Sequence, residues 1–260
     1  MVIVLALYPL AAAAALLLAE RLPGVTGGLA SSPVLVSALA AVVLAAVILA
    51  AVRHRDNPVL LSAWLFFFCG ELILALGWII EPFVPAEGHW MEEIFELLAF
   101  VPLLVFVAYI VSPLRIVLVP RSKVRNVLVL AGFLLAAAAA VALVPFVLGL
   151  GGTRRLPPSE QLLHASQAVL DMVLLEPLGI ALLVIGMSRS SAPYAFLGAG
   201  LMVLLPEDLL MGYGIFASTD LFGRYAHIAF VVSQLYIMNG ALLAAARRKA
   251  SPILREPPAA

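Results

Sequence analysis

The chain has 260 residues, 64% of them hydrophobic and only 12% charged, with a mean hydropathy of +1.14. A soluble domain is about a quarter charged and about half apolar, so this composition excludes an ordinary globular enzyme and predicts an all-α, polytopic transmembrane bundle. Fifteen basic residues balance fifteen acidic ones, which gives no support to nucleic acid as a partner. One cysteine, Cys69, allows neither an intrachain disulfide nor a thiolate metal site, and is expected to act as a small buried apolar residue.

Eight apolar stretches follow one another at roughly 2–19, 33–52, 58–80, 90–112, 124–148, 161–187, 193–215 and 223–246. Each is near the twenty or so residues that cross a bilayer. The first resembles a signal peptide in position, but it lacks a positive n-region and its apolar run is longer than usual. It is read as a retained span; were it cleaved, the other seven would keep their orientation. Ser32-Pro33, Asn57-Pro58 and Ala192-Pro193 place proline in a first helical turn, where its missing N–H costs least. Pro157-Pro158 precedes the sixth stretch, which Ser159 can cap. Gly27-Gly28 and Gly151-Gly152 mark loops. The expected organisation is a single integral membrane domain with a short basic tail at 247–260.

Orientation follows from the basic residues. The loops after stretches two, four and six, with the tail, hold Arg53, Arg55, Arg115, Arg121, Lys123, Arg125, Arg189, Arg247, Arg248, Lys249 and Arg255. The opposite side holds Arg21, Arg154, Arg155 and Arg224. The positive-inside rule puts both termini in the cytoplasm. The expected location is the cell membrane, multi-pass, with lipid as the first partner and a second copy or a membrane complex as a further one.

The sixth stretch carries His164, Gln167, Asp171 and Glu176 within an otherwise apolar run. Offsets of three and seven residues put His164, Gln167 and Asp171 on one helical face. A charge at mid-helix costs about 2.5–3.5 kcal/mol on insertion scales, so each such residue needs an explanation. Counting the helical rise places Glu71, Glu96, Asp171, Glu207, Asp208, His164 and His227 in the outer half or near the midplane. Glu92 and Glu93 fall in a first turn, where water and the positive helix end suit them. Glu207 and Asp208 are adjacent and diverge by about 100°, so one of them faces the interior. His227 precedes Gln234 by seven residues, as His164 precedes Asp171. Pro102, Pro145, Pro177 and Pro206 interrupt spans, and Pro177 and Pro206 adjoin acids. There, freed carbonyls and carboxylates make hard oxygen donors.

Three functions fit this pattern. The first is a cavity open to the outside in which Glu71, Glu96, Asp171 and one of Glu207 and Asp208 bind protons or a divalent cation. In it His164 and His227 stand near the entrance, Gln167 and Gln234 lend support, and the binding couples to transport or sensing. It explains an excess of acids with no mid-span Lys or Arg to neutralise them. The second is a membrane protein holding haem b between His164 and His227, which leaves the acids unexplained. The third is an intramembrane metal-dependent hydrolase, for which no HExxH or HxxxH motif is present. A retinal protein is excluded, because the only lysines, Lys123 and Lys249, lie at the cytoplasmic side. No catalytic motif is present, which weighs against an enzyme.

Overall fold

The computed structural model describes residues 2–19, 33–80, 90–111, 192–217 and 220–246, with Gly132, Gly179, Ile180, Leu182 and Leu183. These residues are helical apart from the turn at 54–57. Among the described residues six helices are defined along their length: α1 (Val2–Ala19), α2 (Pro33–Arg53), α3 (Pro58–Ile80), α4 (Trp90–Val111), α5 (Ala192–Ala217) and α6 (Asp220–Ala246). Their limits agree with six of the eight predicted stretches to within about a turn. The stretches at 124–148 and 161–187 lie, but for the few residues named, outside the described residues.

The α2–α3 hairpin shows how the sequence sets its own ends. Asn57 caps α3, its Oδ1 accepting from the amides of Val59 and Leu60 at 3.1 Å each, with Pro58 as the first helical residue. On the other side of the turn, the His54 ring Nδ1 lies 2.8 Å from the Ala50 carbonyl and closes the last turn of α2. Polar groups at both helix ends are thereby met within four residues of chain.

Helix α3 packs against α2 and α4, and α6 packs against α5, α2 and α1. Among the three long apolar helices α2, α3 and α6, α6 is the most enclosed: 72% of its apolar stretch is buried inside the protein, against 44% for α3 and 33% for α2. The pairs approach each other in two ways. Between α3 and α4 the contact is aromatic, with Trp64, Phe67 and Phe106 fully buried and the Phe67 and Phe106 rings 4.7 Å apart. Between α5 and α6 it depends on glycine. A Cβ on Gly200 would lie 2.7 Å from Ile237, and one on Gly240 would lie 2.9 Å from the Pro193 carbonyl oxygen. Small residues let membrane helices close to this distance. Ser233 uses it, donating to the Gly200 carbonyl at 2.9 Å. Gly198 and Gly179 likewise leave room for one another's backbones where the chain near 179–183 crosses α5.

Large apolar side chains such as Leu10, Val42, Leu49, Leu65 and Val101 are exposed around this bundle. Among the described residues three helices, at Val34–Arg53, Pro58–Gly77 and Tyr225–Ala246, are long and apolar enough to cross a membrane. Exposed hydrocarbon on long helices is what lipid contact requires. Cys69 belongs to this outer surface, contrary to expectation. It shares the α3 face of Leu65, Phe66 and Leu76, opposite Glu71. An apolar run does not reveal which of its faces looks outward.

One contact fixes α1 to α6. Pro9 lies inside α1 and leaves the carbonyl of Leu5 without its helical N–H. Asn239 of α6 supplies the missing donor, its Nδ2 lying 2.9 Å from that oxygen, and its Oδ1 accepts the Tyr8 hydroxyl at 3.0 Å. Asn239→Ala is therefore expected to destabilise the protein by about 1–3 kcal/mol, the cost of leaving buried polar groups unpaired. In a Pro9→Ala background the helix restores its own bond to Leu5, and the same change should cost only the bond to Tyr8, near 0.6 kcal/mol. Detergent unfolding of the four proteins of this cycle reads the difference. Equal costs in both backgrounds would show that Pro9 plays no part.

Candidate functional site

Glu71 lies near the middle of α3, about 20 Å along the helix from Pro58 at 1.5 Å per residue. Its neighbour Gly70 lets α4 come close: a Cβ there would lie 2.7 Å from the Leu103 side chain and 3.4 Å from the Ala99 carbonyl. Glu71 itself turns inward and is only 3% exposed. Its carboxyl meets the side-chain amide of Gln234, from α6, which is 1% exposed. The two polar groups sit across the bundle interior from one another but do not saturate each other. Glu71 Oε1 and Gln234 Nε2 are both buried and complete no well-formed hydrogen bond.

On the side of the α2–α3 turn, the site rests on a closed apolar floor. Leu60, Trp64, Phe67, Phe106 and Ile110 are each no more than 1% exposed. Trp64 meets Phe67 edge-on at 6.0 Å and Phe106 at 6.0 Å, and the ring of His54 stacks on it at 6.4 Å. Below Gln234, α6 presents Ile237, Ala241 and Ala244, all buried in the same core as Phe67 and Phe106. A third unsatisfied atom, Trp64 Nε1, lies in this floor.

Toward the other end of α3 the character changes. Glu96 shares a face of α4 with Ala99 and Leu103, the residues that meet Gly70. It stands about one turn beyond Gly70 in the direction of Ile80. It is partly buried and has an interaction partner of its own. His227, two turns before Gln234 on the same face of α6, is also partly buried and partnered.

Of the residues picked out by sequence, the structure joins Glu71 and Gln234 across α3 and α6. Glu207 and Asp208 lie in α5 beyond the side chains that are described, and His164, Gln167, Asp171 and Glu176 lie outside the described residues. Among the described residues, no three His, Cys, Asp or Glu side chains gather to hold a metal ion. Sequence reasoning had grouped Gln234 with His227 by spacing alone. It passed over Tyr8, Ser233 and Asn239, although Pro9 inside the first span signals a carbonyl in need of a donor.

Comparison of the chain with protein-family models, with curated proteins and with solved structures finds no match. Its chemistry has to be read from its own residues.

The pairing of Glu71 with Gln234 has a measurable energetic signature. Gln234→Leu removes the polar group that meets the carboxyl among the described residues and should destabilise the protein by about 1–3 kcal/mol. Replacing both partners, Glu71→Leu with Gln234→Leu, should recover most of that loss, because a matched apolar pair needs no hydrogen bond. Unfolding in mixed micelles of the two single variants and the double variant checks the coupling. Additive losses would mean that the two side chains do not interact.

Proposed function

We propose that the chain is a multi-pass protein of the cell membrane with eight spans and both termini cytoplasmic. In this reading Glu71 is the centre of an outward-facing site for proton-coupled or cation-coupled transport or sensing. The observation that carries it is a carboxyl buried at mid-helix, facing an uncharged amide, with an oxygen that has no partner. Such a group is costly in a membrane and marks a functional position by default. Arg53 and Arg55, at the α2–α3 turn, are about 20 Å away along α3 and offer it no countercharge. A proton or a bound cation is then the species that neutralises it.

The distribution of basic residues supports the topology, with the α2–α3 turn and the tail cytoplasmic. Helix α3 then rises toward the outside, and α4 and α6 descend from it. Glu96 and His227 lie between Glu71 and the outer surface. Asp171 and one of Glu207 and Asp208 complete the proposed set of acids, with His164 beside His227 at the entrance and Gln167 in support. The chain works in contact with lipid, alone or with a second copy or another membrane partner.

Binding of a proton or cation to the folded protein must appear as stability, whether it serves transport or sensing. Thermal unfolding of purified protein across pH, and across added sodium, potassium, magnesium and calcium, tests the reading. Wild type should respond to at least one of these in a way that Glu71→Gln does not, since the amide keeps the shape and loses the ionisable group. Identical responses of the two proteins would end the reading.

A further inference from the structure

The same geometry indicates which ion is bound and from which side it comes; this step rests on the function just proposed. A hard metal cation takes several oxygen ligands. Among the described residues, the Gln234 amide is the polar group that meets Glu71, and its helical neighbours Phe67 and Leu74 on α3 are buried and apolar. A proton asks for less. The Gln234 amide offers N–H donors to a carboxylate and, turned over about its last torsion, a carbonyl acceptor to a carboxylic acid. A carboxyl–amide pair with a free oxygen on one member and a free N–H on the other suits both states of a single proton.

The two directions along the bundle are unequal. Toward the α2–α3 turn, Trp64, Phe67 and Phe106 close against one another, Ile237, Ala241, Val43 and Val47 join them in one apolar core, and the titratable group on that side, His54, stacks on Trp64 at the turn. Toward the outer ends, two titratable groups among the described side chains lie on the helix faces that carry the site. Glu96 does so on α4 and His227 on α6, both less buried than Glu71. Helix α2 has no titratable residue before Arg53, and on α3 Cys69 points away. We infer that Glu71 is a proton-binding site that exchanges with the outer aqueous side past Glu96 and His227, and that the Trp64–Phe67–Phe106 stack seals it from the cytoplasm.

Labelling by dicyclohexylcarbodiimide tests both parts. A protonated carboxyl adds across one C=N bond of this apolar reagent to give an O-acylisourea, whose acyl group leaves oxygen for the neighbouring nitrogen to give a stable acylurea, so the yield at Glu71 reports its protonation. The full-length protein is placed in vesicles in one known orientation, the pH is set separately on each side, and the Glu71 peptide is quantified by mass spectrometry. Glu71→Gln provides the blank. Labelling should be lost as the pH on the outer face rises, and should be unchanged by the pH on the cytoplasmic face. Sodium, potassium, magnesium and calcium at fixed pH should not protect. Phe106→Ala, or Phe106→Leu if the smaller side chain prevents folding, should make labelling follow the cytoplasmic pH as well.

Protection by one of these cations at fixed pH would make Glu71 a metal site. Labelling that follows only the cytoplasmic pH would reverse the sidedness. Each result overturns the inference while leaving a functional ion site at Glu71. A Glu71 that is never labelled would overturn the inference too; if Glu71→Gln also unfolds as wild type does across pH and cations, the broader function fails with it.

Discussion

The bundle is organised by the need of α6 to satisfy polar side chains on several of its faces at once. Ser233, Gln234 and Asn239 are each at most 1% exposed. At 100° per residue, they point in three directions separated by about 100°, 140° and 120°. Each direction has its own neighbour: Ser233 bonds to α5, Gln234 meets Glu71 of α3, and Asn239 bonds to α1. A helix with polar groups all round cannot lie against lipid, where nothing would pair with them. It becomes the centre of the described helices because three of its faces each need a protein partner. The helices around it can then be almost wholly apolar, as the exposed side chains of α1 to α4 are.

Around that centre the helices associate without a hydrophobic driving force, since lipid is as apolar as leucine. Two solutions appear side by side. The α5–α6 pair uses Gly200 and Gly240 to bring backbones close enough for Ser233 to reach a carbonyl on the facing helix. The α3–α4 pair instead fills the space with rings, whose area and offset or edge-on geometry contribute in place of close backbone contact. Gly70 marks the boundary between the two modes on α3. One turn below it lies Phe67 in the aromatic stack, and immediately beside it lies Glu71. The change of packing mode and the appearance of the buried carboxyl thus coincide in sequence.

What was legible beforehand depended on how local the physics is. Helix limits were readable because apolar length, Asn57-Pro58 and Ala192-Pro193 act over a few residues. Glu71 stood out because a mid-span carboxylate is expensive wherever it points. Its partner could not be read: Gln234 is 163 positions away, and spacing along α6 associates it with His227 rather than with α3. Cys69 was misjudged for a related reason, since a helix in lipid is apolar on its outer and inner faces alike and the usual contrast between them is missing. Asn239 was within reach, because Pro9 predicts an orphan carbonyl at Leu5, but the donor's identity needed the fold.

The same helix also supplies a comparison that separates structural polar groups from others. Ser233 and Asn239 are fully buried and satisfied, Asn239 through both its oxygen and its nitrogen. Gln234, one residue from Ser233 and equally buried, keeps a free Nε2 opposite a free Glu71 Oε1. An unsatisfied buried polar atom costs about 1–3 kcal/mol, so a pair of them is not what stability alone would select. Were Glu71 present only to hold α3 to α6, a neutral pair bonded as Asn239 is to Tyr8 would serve better, with no ionisable group to neutralise. Leaving one acceptor and one donor open costs the fold stability, and the proton exchange proposed for Glu71 would use those open groups. That contrast within a single helix, rather than the mere presence of an acid in a span, gives Glu71 its claim to function.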